Sequence, residues 1–447
     1  MTAFDTTTLT RNIQALPQTT PVGRIVGIAG SVLQVSGLSG VAKIGDRGVV
    51  QQVGGRKLQA EVLRIAADSV QLLCDAPPDG AALGDPVFLY PAPEFAPCDR
   101  WIGRVIDPFG RPMDGKPLSN GGIARPVQAA PPLAGARRGL GHRVATGLAV
   151  MNTMLPVVTG QRLGLFAGSG VGKSSLLARL ARSMQADVVV LALIGERGRE
   201  VRDFVDRVLG PDGMARSVVV AATSDQSALM RRRCAWSAMA VAEHFRDQGK
   251  NVLFLADSVT RFAEAHREIA TASGEAPALR GHPPSVTPLI TGLCERAGPG
   301  ADAQGDITAI FSVLVAGSDM DEPVADILRG VLDGHIVMSR DIAERGRYPA
   351  IDVLKSVSRS LPDAATSTEN KIIAEVRKYL GAYERSEVMI RAGLYAEGTD
   401  PVLDTAVRLW PDLDALFARA DAADARDVQP GFDRLKLMLR RAGVSIG

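Results

Sequence analysis

The chain has 447 residues, 46% hydrophobic and 22% charged, a globular composition too long for one compact core, so two or three domains are expected. With 51 basic and 49 acidic residues the net charge is +2, too balanced to hold a polyanion by its overall field, and no nucleic-acid partner is expected. Cys74, Cys98, Cys234 and Cys294 lie far apart without metal-ligand spacing, which argues against a zinc site or a disulfide framework.

Residues 1–20 form a polar, Thr-rich leader without the basic start and apolar run of a secretion signal. Residues 21–92 alternate short Val/Ile/Leu runs with Gly, Pro and Asp, as in GRIVGIAG, SVLQVSGL and DPVFLY, and predict a small antiparallel barrel or sandwich. This stretch holds one Phe and one Tyr, too few platforms to stack a single-stranded nucleic acid.

Across residues 93–365 wholly apolar runs (LGLFAG, DVVVLALIG, SVVVAAT, NVLFLAD) alternate with helical patterns (SSLLARLARSMQ, EVRDFVDRVL, Ala235–Gln248). Such alternation predicts a parallel sheet covered by helices on both faces. The triplet Arg231-Arg232-Arg233 reads as preceding the last of these helices, in an interface or structural role. Residues 366–447 are helical almost throughout, with the Ala/Asp-rich 421–427 as a solvated turn or helix end. The apolar runs are too short to span a bilayer, so any membrane association is expected to be peripheral.

The chemistry centres on Ala167-Gly168-Ser169-Gly170-Val171-Gly172-Lys173-Ser174, between a strand-like LGLF and a helical SLLARLAR. A loop that wraps backbone N–H groups around phosphate oxygens must shed side chains, and Gly168, Gly170 and Gly172 do so. Lys173 then presents an ammonium to the outer phosphates and Ser174 a hydroxyl to Mg²⁺, while Ser175 continues the helix whose dipole favours the anion. Ala167 departs from the strict pattern, which has glycine there.

Nucleotide hydrolysis further requires carboxylates. Asp257 ends NVLFLAD, placing it at the C-terminal edge of a buried strand, where it is expected to hold Mg²⁺ through water; the alternative is a cap on the next helix. Glu196 ends VVVLALIGE and is the candidate to polarise the attacking water. Arg197 and Arg261 are candidates to neutralise phosphoryl charge, or else members of a surface salt-bridge cluster.

GERGREV, DSVTRFAEAHREIA and RYPAIDVLKSVSR resemble the catalytic core of the rotary and type III secretion ATPases, over about residues 21–420. FAGSGVGKSSLL, the long run from VVVAATSDQSALMRRR to LADSVTR, GSDMDEPVADILRG and Tyr395–Asp404 resemble the flagellar protein-export branch. The resemblance implies an N-terminal β-barrel at 21–92, a RecA-like P-loop ATPase domain at 93–365 and a helical domain at 366–447, assembled as a homohexamer in the cytoplasm at the inner membrane of the flagellar base. It implies Glu196 as general base, Arg359 as an arginine finger supplied to the neighbouring subunit, and Tyr348 as the residue stacked on adenine. Implied partners are a stator-like regulatory protein at the leader, a central stalk-like export protein, chaperones and cargo at the C-terminal domain, and export gate membrane proteins. His282 and Asp306 stand where relatives carry an aromatic and a small hydroxyl residue. The competing readings are a virulence-type secretion ATPase, a rotary ATP synthase catalytic subunit, a nucleotide-binding subunit without turnover, and an RNA-translocating hexamer.

Overall fold

A computed structural model of the chain describes residues 19–444 apart from 53, 94, 316–319, 321, 420–423 and 425. The expectations for the leader, for most of GSDMDE and for much of 421–427 therefore lie outside the described residues. Two compact units divide the chain: one takes residues up to 94 with Gln226–Leu229 and Ile269–Glu275, the other the remainder.

In the first unit, strands β1 (Val22–Ala29), β2 (Val32–Ser36), β3 (Arg47–Gln51), β4 (Lys57–Ile65), β5 (Val70–Cys74) and β6 (Pro86–Tyr90) close into a barrel, in the order β1-β2-β5-β4-β3-β6. Every neighbouring pair is antiparallel. Alternate residues such as Ile25, Leu33, Val35, Val50, Val62, Leu72 and Val87 fill the interior at 0–1% exposure. Closure decides between barrel and sandwich, and it leaves no unpaired sheet edge.

The second unit is built on eight strands: β7 (Arg104–Ile106), β10 (Arg162–Ala167), β11 (Val188–Glu196), β12 (Ser217–Thr223), β13 (Val252–Asp257), β14 (Ile307–Leu314), β15 (Gly334–Met338) and β16 (Ile351–Ser358). Two-residue strands β8 (Arg143–Val144) and β9 (Val157–Val158) pair separately. The sheet order is β16-β15-β10-β14-β13-β11-β12-β7, parallel except for the β15–β16 pair. Along β11, Val189, Leu191 and Leu193 enter one core, and Val190, Ala192 and Ile194 the other. Burial on both faces is why these strands read as unbroken apolar runs.

Helices α1 (Ala149–Met154), α2 (Lys173–Ser183), α3 (Gly198–Asp203), α4 (Gly210–Met214), α5 (Ala228–Asp247), α6 (Val259–Ala272), α7 (Val286–Arg296), α8 (Pro323–Val331) and α9 (Arg340–Glu344) belong to the crossovers. Helix α3 continues as a π-helical turn over Phe204–Leu209. Helix α5 begins at Ala228, seven residues before the expected start, so Arg231–Arg233 lie inside it. Arginine is a good helix former, and each of the three has a local contact. Arg231 pairs with Glu268 at 2.7 Å, Arg232 lies 5.1 Å from the Trp236 ring centroid, and Arg233 lies 4.5 Å from that of Phe109. Asp306, the departure noted in the sequence, is buried and accepts from Arg138 at 2.6 Å and from the Gly300 N–H at 3.1 Å.

Three helices end the chain, α10 (Ser367–Arg391), α11 (Pro401–Phe417) and α12 (Gln429–Arg441). Helix α10 opens on a capping box in which the Glu369 N–H donates to Thr366 Oγ1 and the Glu369 carboxylate accepts from the Thr366 N–H; that carboxylate also meets Arg143 at 2.9 Å. Val376, Leu380, Leu409, Leu413, Phe432 and Leu435 join the same core as one face of the sheet. The expectation of a solvated 421–427 fails at Asp424, which is fully buried: its carbonyl accepts from the Gly147 N–H and from Asn152 Nδ2, tying the segment to α1.

Candidate nucleotide site

Strand β10 ends at Ala167 and helix α2 begins at Lys173, so residues 168–172 make the turn between them. Ala167 pairs with Leu314 and Met338 in regular parallel register, 1% exposed. No glycine is needed in an extended backbone, which is why the departure is tolerated. Gly170 and Gly172 have φ of +78° and +91°, and a Cβ on Gly172 would come within 3.2 Å of the Tyr348 ring. Val171 anchors the loop in the core at 2% exposure, whereas Ser169, Ser174 and Ser175 face outward.

Lys173 is 9% exposed and Asp257 3%. The two are joined in an ion pair, the Lys173 ammonium donating to Asp257 Oδ1. The same oxygen accepts the Ser312 hydroxyl from β14 at 2.9 Å. Glu196 ends β11, whose Leu193 stands opposite Asp257 of β13, so the two carboxylates occupy adjacent strand ends. A cavity of about 180 Å³ is walled by Ser174, Glu196, Glu200 and Asp257 among others. Burial first, and then the nearby Asp257 carboxylate, push the Glu196 pKa up to about 7 against the opposing pull of Lys173; a hydrogen bond to Glu200 adds to the rise.

Tyr348 follows α9 and stands over Gly172, half-exposed. With Ser175, Leu176, Arg179, Arg207 and Val208 it lines a cavity of about 600 Å³ beside the loop. The π-helical turn delivers Arg207 and Val208 to that wall. The structure thus brings together the loop, Lys173, Ser174, Glu196, Asp257 and Tyr348 at the C-terminal edge of the sheet, where open α/β sheets bind ligands.

None of the three expected arginines lines either cavity. Arg197 caps α3 with its side chain 81% exposed, 3.5 Å from Glu200. Arg261 pairs with Glu264 at 2.9 Å and packs against Gly195, where φ is +70° and a Cβ would come within 3.3 Å of the Arg261 Cβ. Arg359 follows β16, which runs antiparallel from Ile351 opposite Met338 to Ser358 opposite Gly334. Its N–H donates to Asp333 and its guanidinium to the Arg329 carbonyl at 3.1 Å. This is the N-terminal edge of the parallel strands, about 16 Å of strand from the loop at ~3.3 Å per residue. Arg359 therefore cannot reach its own loop.

The oxygen donors suit a hard divalent cation: Ser174 offers a hydroxyl and Asp257 a carboxylate. No group of three or more His, Cys, Asp or Glu able to cage a metal occurs among the described residues. That donor set fits an ion such as Mg²⁺, which keeps waters and shares phosphate oxygens. Sequence reasoning missed Ser312 and the arginine-bearing wall of the larger cavity beside the loop. A lone hydroxyl within the apolar run ITAIFSVL was the available signal for the first; the second depends on a π-helical turn that has no sequence period.

A glycine loop between strand β10 and helix α2, with acidic side chains at two neighbouring strand ends, defines a P-loop nucleotide-binding protein. Residues 147–358 match the ATP synthase alpha/beta family nucleotide-binding domain, and residues 365–428 the T3SS EscN ATPase C-terminal domain. The flagellum-specific ATP synthase of Caulobacter vibrioides is 43% identical over 96% of this chain and 98% of its own length, and that of Salmonella typhimurium 41% over 92% and 93%. A type 3 secretion system ATPase of Pseudomonas syringae pv. syringae is 43% identical over 88% and 89%. Among solved structures, the assembled ATPase EscN of the enteropathogenic E. coli type III secretion system superposes with a TM-score of 0.85 at 38% identity, over 93% of this chain and all of that one. EscN in complex with its central stalk EscO gives 0.83 at 36%, over 93% and 100%. The chain belongs to the family of flagellum-specific and type III secretion ATPases.

Proposed function

We propose that this ATPase serves a flagellar type III export apparatus and hydrolyses Mg-ATP at the subunit interfaces of a homohexamer, with a barrel domain at 21–92, an ATPase domain at 93–365 and a helical domain at 366–447. The observation that carries the reading is the division of the site. Loop, lysine and both carboxylates converge at one edge of the sheet, while Arg359 stands at the other, and that separation supports a role for it on a neighbouring copy.

Within each site, backbone N–H groups of 168–172 and the Lys173 ammonium hold the outer phosphates, with Ser174 and Ser175 at the helix start. Tyr348 stacks on the base. Mg²⁺, when bound by Ser174 and through water by Asp257, supplies charge neutralisation at the phosphates. Glu196 orients and polarises the attacking water; Arg197 and Arg261, which neighbour Glu196, are assigned to neutralising phosphate charge once nucleotide is bound, and Arg359 of the adjacent copy meets the charge that develops on transfer.

The flagellar branch is supported by the end-to-end match to the Caulobacter protein, and the central stalk partner by the EscN–EscO complex. We further assign a stator-like regulatory protein to the leader, chaperones and cargo to the C-terminal helices, and export gate proteins at the inner membrane, where the enzyme is held peripherally from the cytoplasm. None of the described helices is long and apolar enough to cross a membrane. The match to the Pseudomonas enzyme favours a virulence-type system as the second reading, and flanking genes for rod, hook and basal body decide between them.

ATPase rate against protein concentration tests the shared site. A rate rising more steeply than linearly is expected; strict proportionality down to dilute protein would assign the whole site to one chain.

A further inference from the structure

Two donors meet one oxygen of Asp257: the Lys173 ammonium and, at 2.9 Å, the Ser312 hydroxyl both donate to Oδ1. The other oxygen, Oδ2, accepts from no donor among the described residues, yet it is not sealed from solvent. Asp257 lines the cavity of about 180 Å³ together with Ser174 and Glu196, and Oδ2 is the oxygen left for what enters there.

The two donors differ in what they can do next. Ser312 is 0% exposed within β14, a strand paired on both sides. Ala256 of β13 stands opposite Phe311, which makes Asp257 and Ser312 the next neighbours along that pair, and Leu165 of β10 stands opposite Ser312 on the other side. Leu165, Leu193, Leu255 and Ile310 around it belong to one apolar core, where a lone hydroxyl is costly unless it is bonded. Ser312 is therefore fixed to Asp257. Lys173 has an alternative, because arriving phosphates offer its ammonium a second acceptor. Once it turns to them, Ser312 is the one donor to Asp257 that remains among the described residues. The terminal torsion of an aspartate is broad and two-fold, so without that donor the carboxylate has no set direction.

We propose that Ser312 is the positioning residue of the metal carboxylate: it keeps Oδ1 engaged when Lys173 leaves, so that Oδ2 stays turned to the cavity where a hydrated divalent cation is held. This rests on the assignment of Asp257 to Mg²⁺ made above. A partner that orients a metal-binding group in this way contributes about 10–100-fold to metal affinity.

ADP binding to the full chain, measured by calorimetry with and without Mg²⁺, gives the ratio of the two Kd values as the metal's contribution. Ser312→Ala lets the carboxylate turn away from metal-free phosphates and removes the single orientation that serves the cation, and both effects lower the ratio, by about tenfold together. Ser312→Cys, which keeps the volume and donates only weakly, should lower it too. A purely structural role would reduce the melting temperature and leave the ratio alone. Asp257→Asn should lower the ratio more, and adding Ser312→Ala to it should change nothing further, since the hydroxyl acts through that carboxylate. A ratio that Asp257→Asn leaves unchanged would remove the assignment of Asp257 to the metal. A ratio that responds to Asp257→Asn but not to Ser312→Ala, or one that falls additively in the double variant, would overturn the role of Ser312 alone.

Discussion

Glu196 is held between opposing influences: burial and Asp257 disfavour its charge, Lys173 favours it, and the balance lies near neutrality. A general base must be ionised, so kcat/KM is expected to rise about tenfold per pH unit below pH ~7 and to level off above it, since that ratio reports the free enzyme. Glu196→Gln should remove this limb along with about 10²–10⁴ of the turnover. Stability runs the opposite way. The folded chain holds this proton more tightly than the unfolded chain does, so the contribution is full below the unfolded carboxyl range and is lost as pH rises through about 7. Glu196→Gln should therefore stabilise the nucleotide-free protein at pH 8 by roughly 1 kcal/mol after allowance for solvent screening, readable as a shifted urea midpoint. Glu196 and Asp257 were legible in the sequence because each terminates an apolar strand. Ser312, which orients Asp257, was harder to see, since a buried hydroxyl in a strand marks a contact across the sheet, and sequence carries no strand order.

The element that frames the larger cavity is the turn 168–172 with Tyr348 above it. Gly172 is left-handed and touches the ring, so Gly172→Ala should both strain the backbone and displace Tyr348. Nucleotide affinity is expected to fall about tenfold, the scale of 1–2 kcal/mol of left-handed strain, as measured by ADP titration. At the start of α10, Thr366→Ala removes one half of a capping box whose other half, Glu369, also holds Arg143. The expected loss is about 1 kcal/mol in denaturant unfolding, with ATPase activity retained. Periodicity revealed these elements but not their limits. Helix α5 extends back through three arginines that had been read as preceding it, and the buried Asp424 has its carbonyl answered by the Gly147 N–H and by Asn152 on α1, a contact between segments far apart in sequence.

At the scale of the whole molecule, the defining fact is that Arg359 and the loop occupy opposite edges of one sheet. Arg359→Ala should abolish turnover while leaving nucleotide binding intact, and Glu196→Gln should do likewise. Mixing the two inactive proteins should restore activity, because some interfaces then pair an intact Glu196 with an intact Arg359. For random assembly in a ring about a quarter of the interfaces qualify. No recovery in a mixture shown to co-assemble would refute a shared site. The barrel, the parallel sheet and the helical end were each legible from alternation, continuous apolar runs and 3–4 spacing. The direction of β16 was not, and it is this antiparallel edge strand that carries Arg359 away from its own loop.

The Lys173–Asp257 pair would make the nucleotide site a two-input device. Buried side by side, the two charges cancel, and an arrival that satisfies only one strands the other. A metal ion alone would release Lys173 without an anion; metal-free nucleotide would leave Asp257 facing phosphate. Only the two together compensate both partners, so the pair computes a logical conjunction before any bond is broken. It sets a threshold against chelated or metal-starved nucleotide, and Asp257→Asn should lower that threshold: ATP binding measured without divalent ions should tighten.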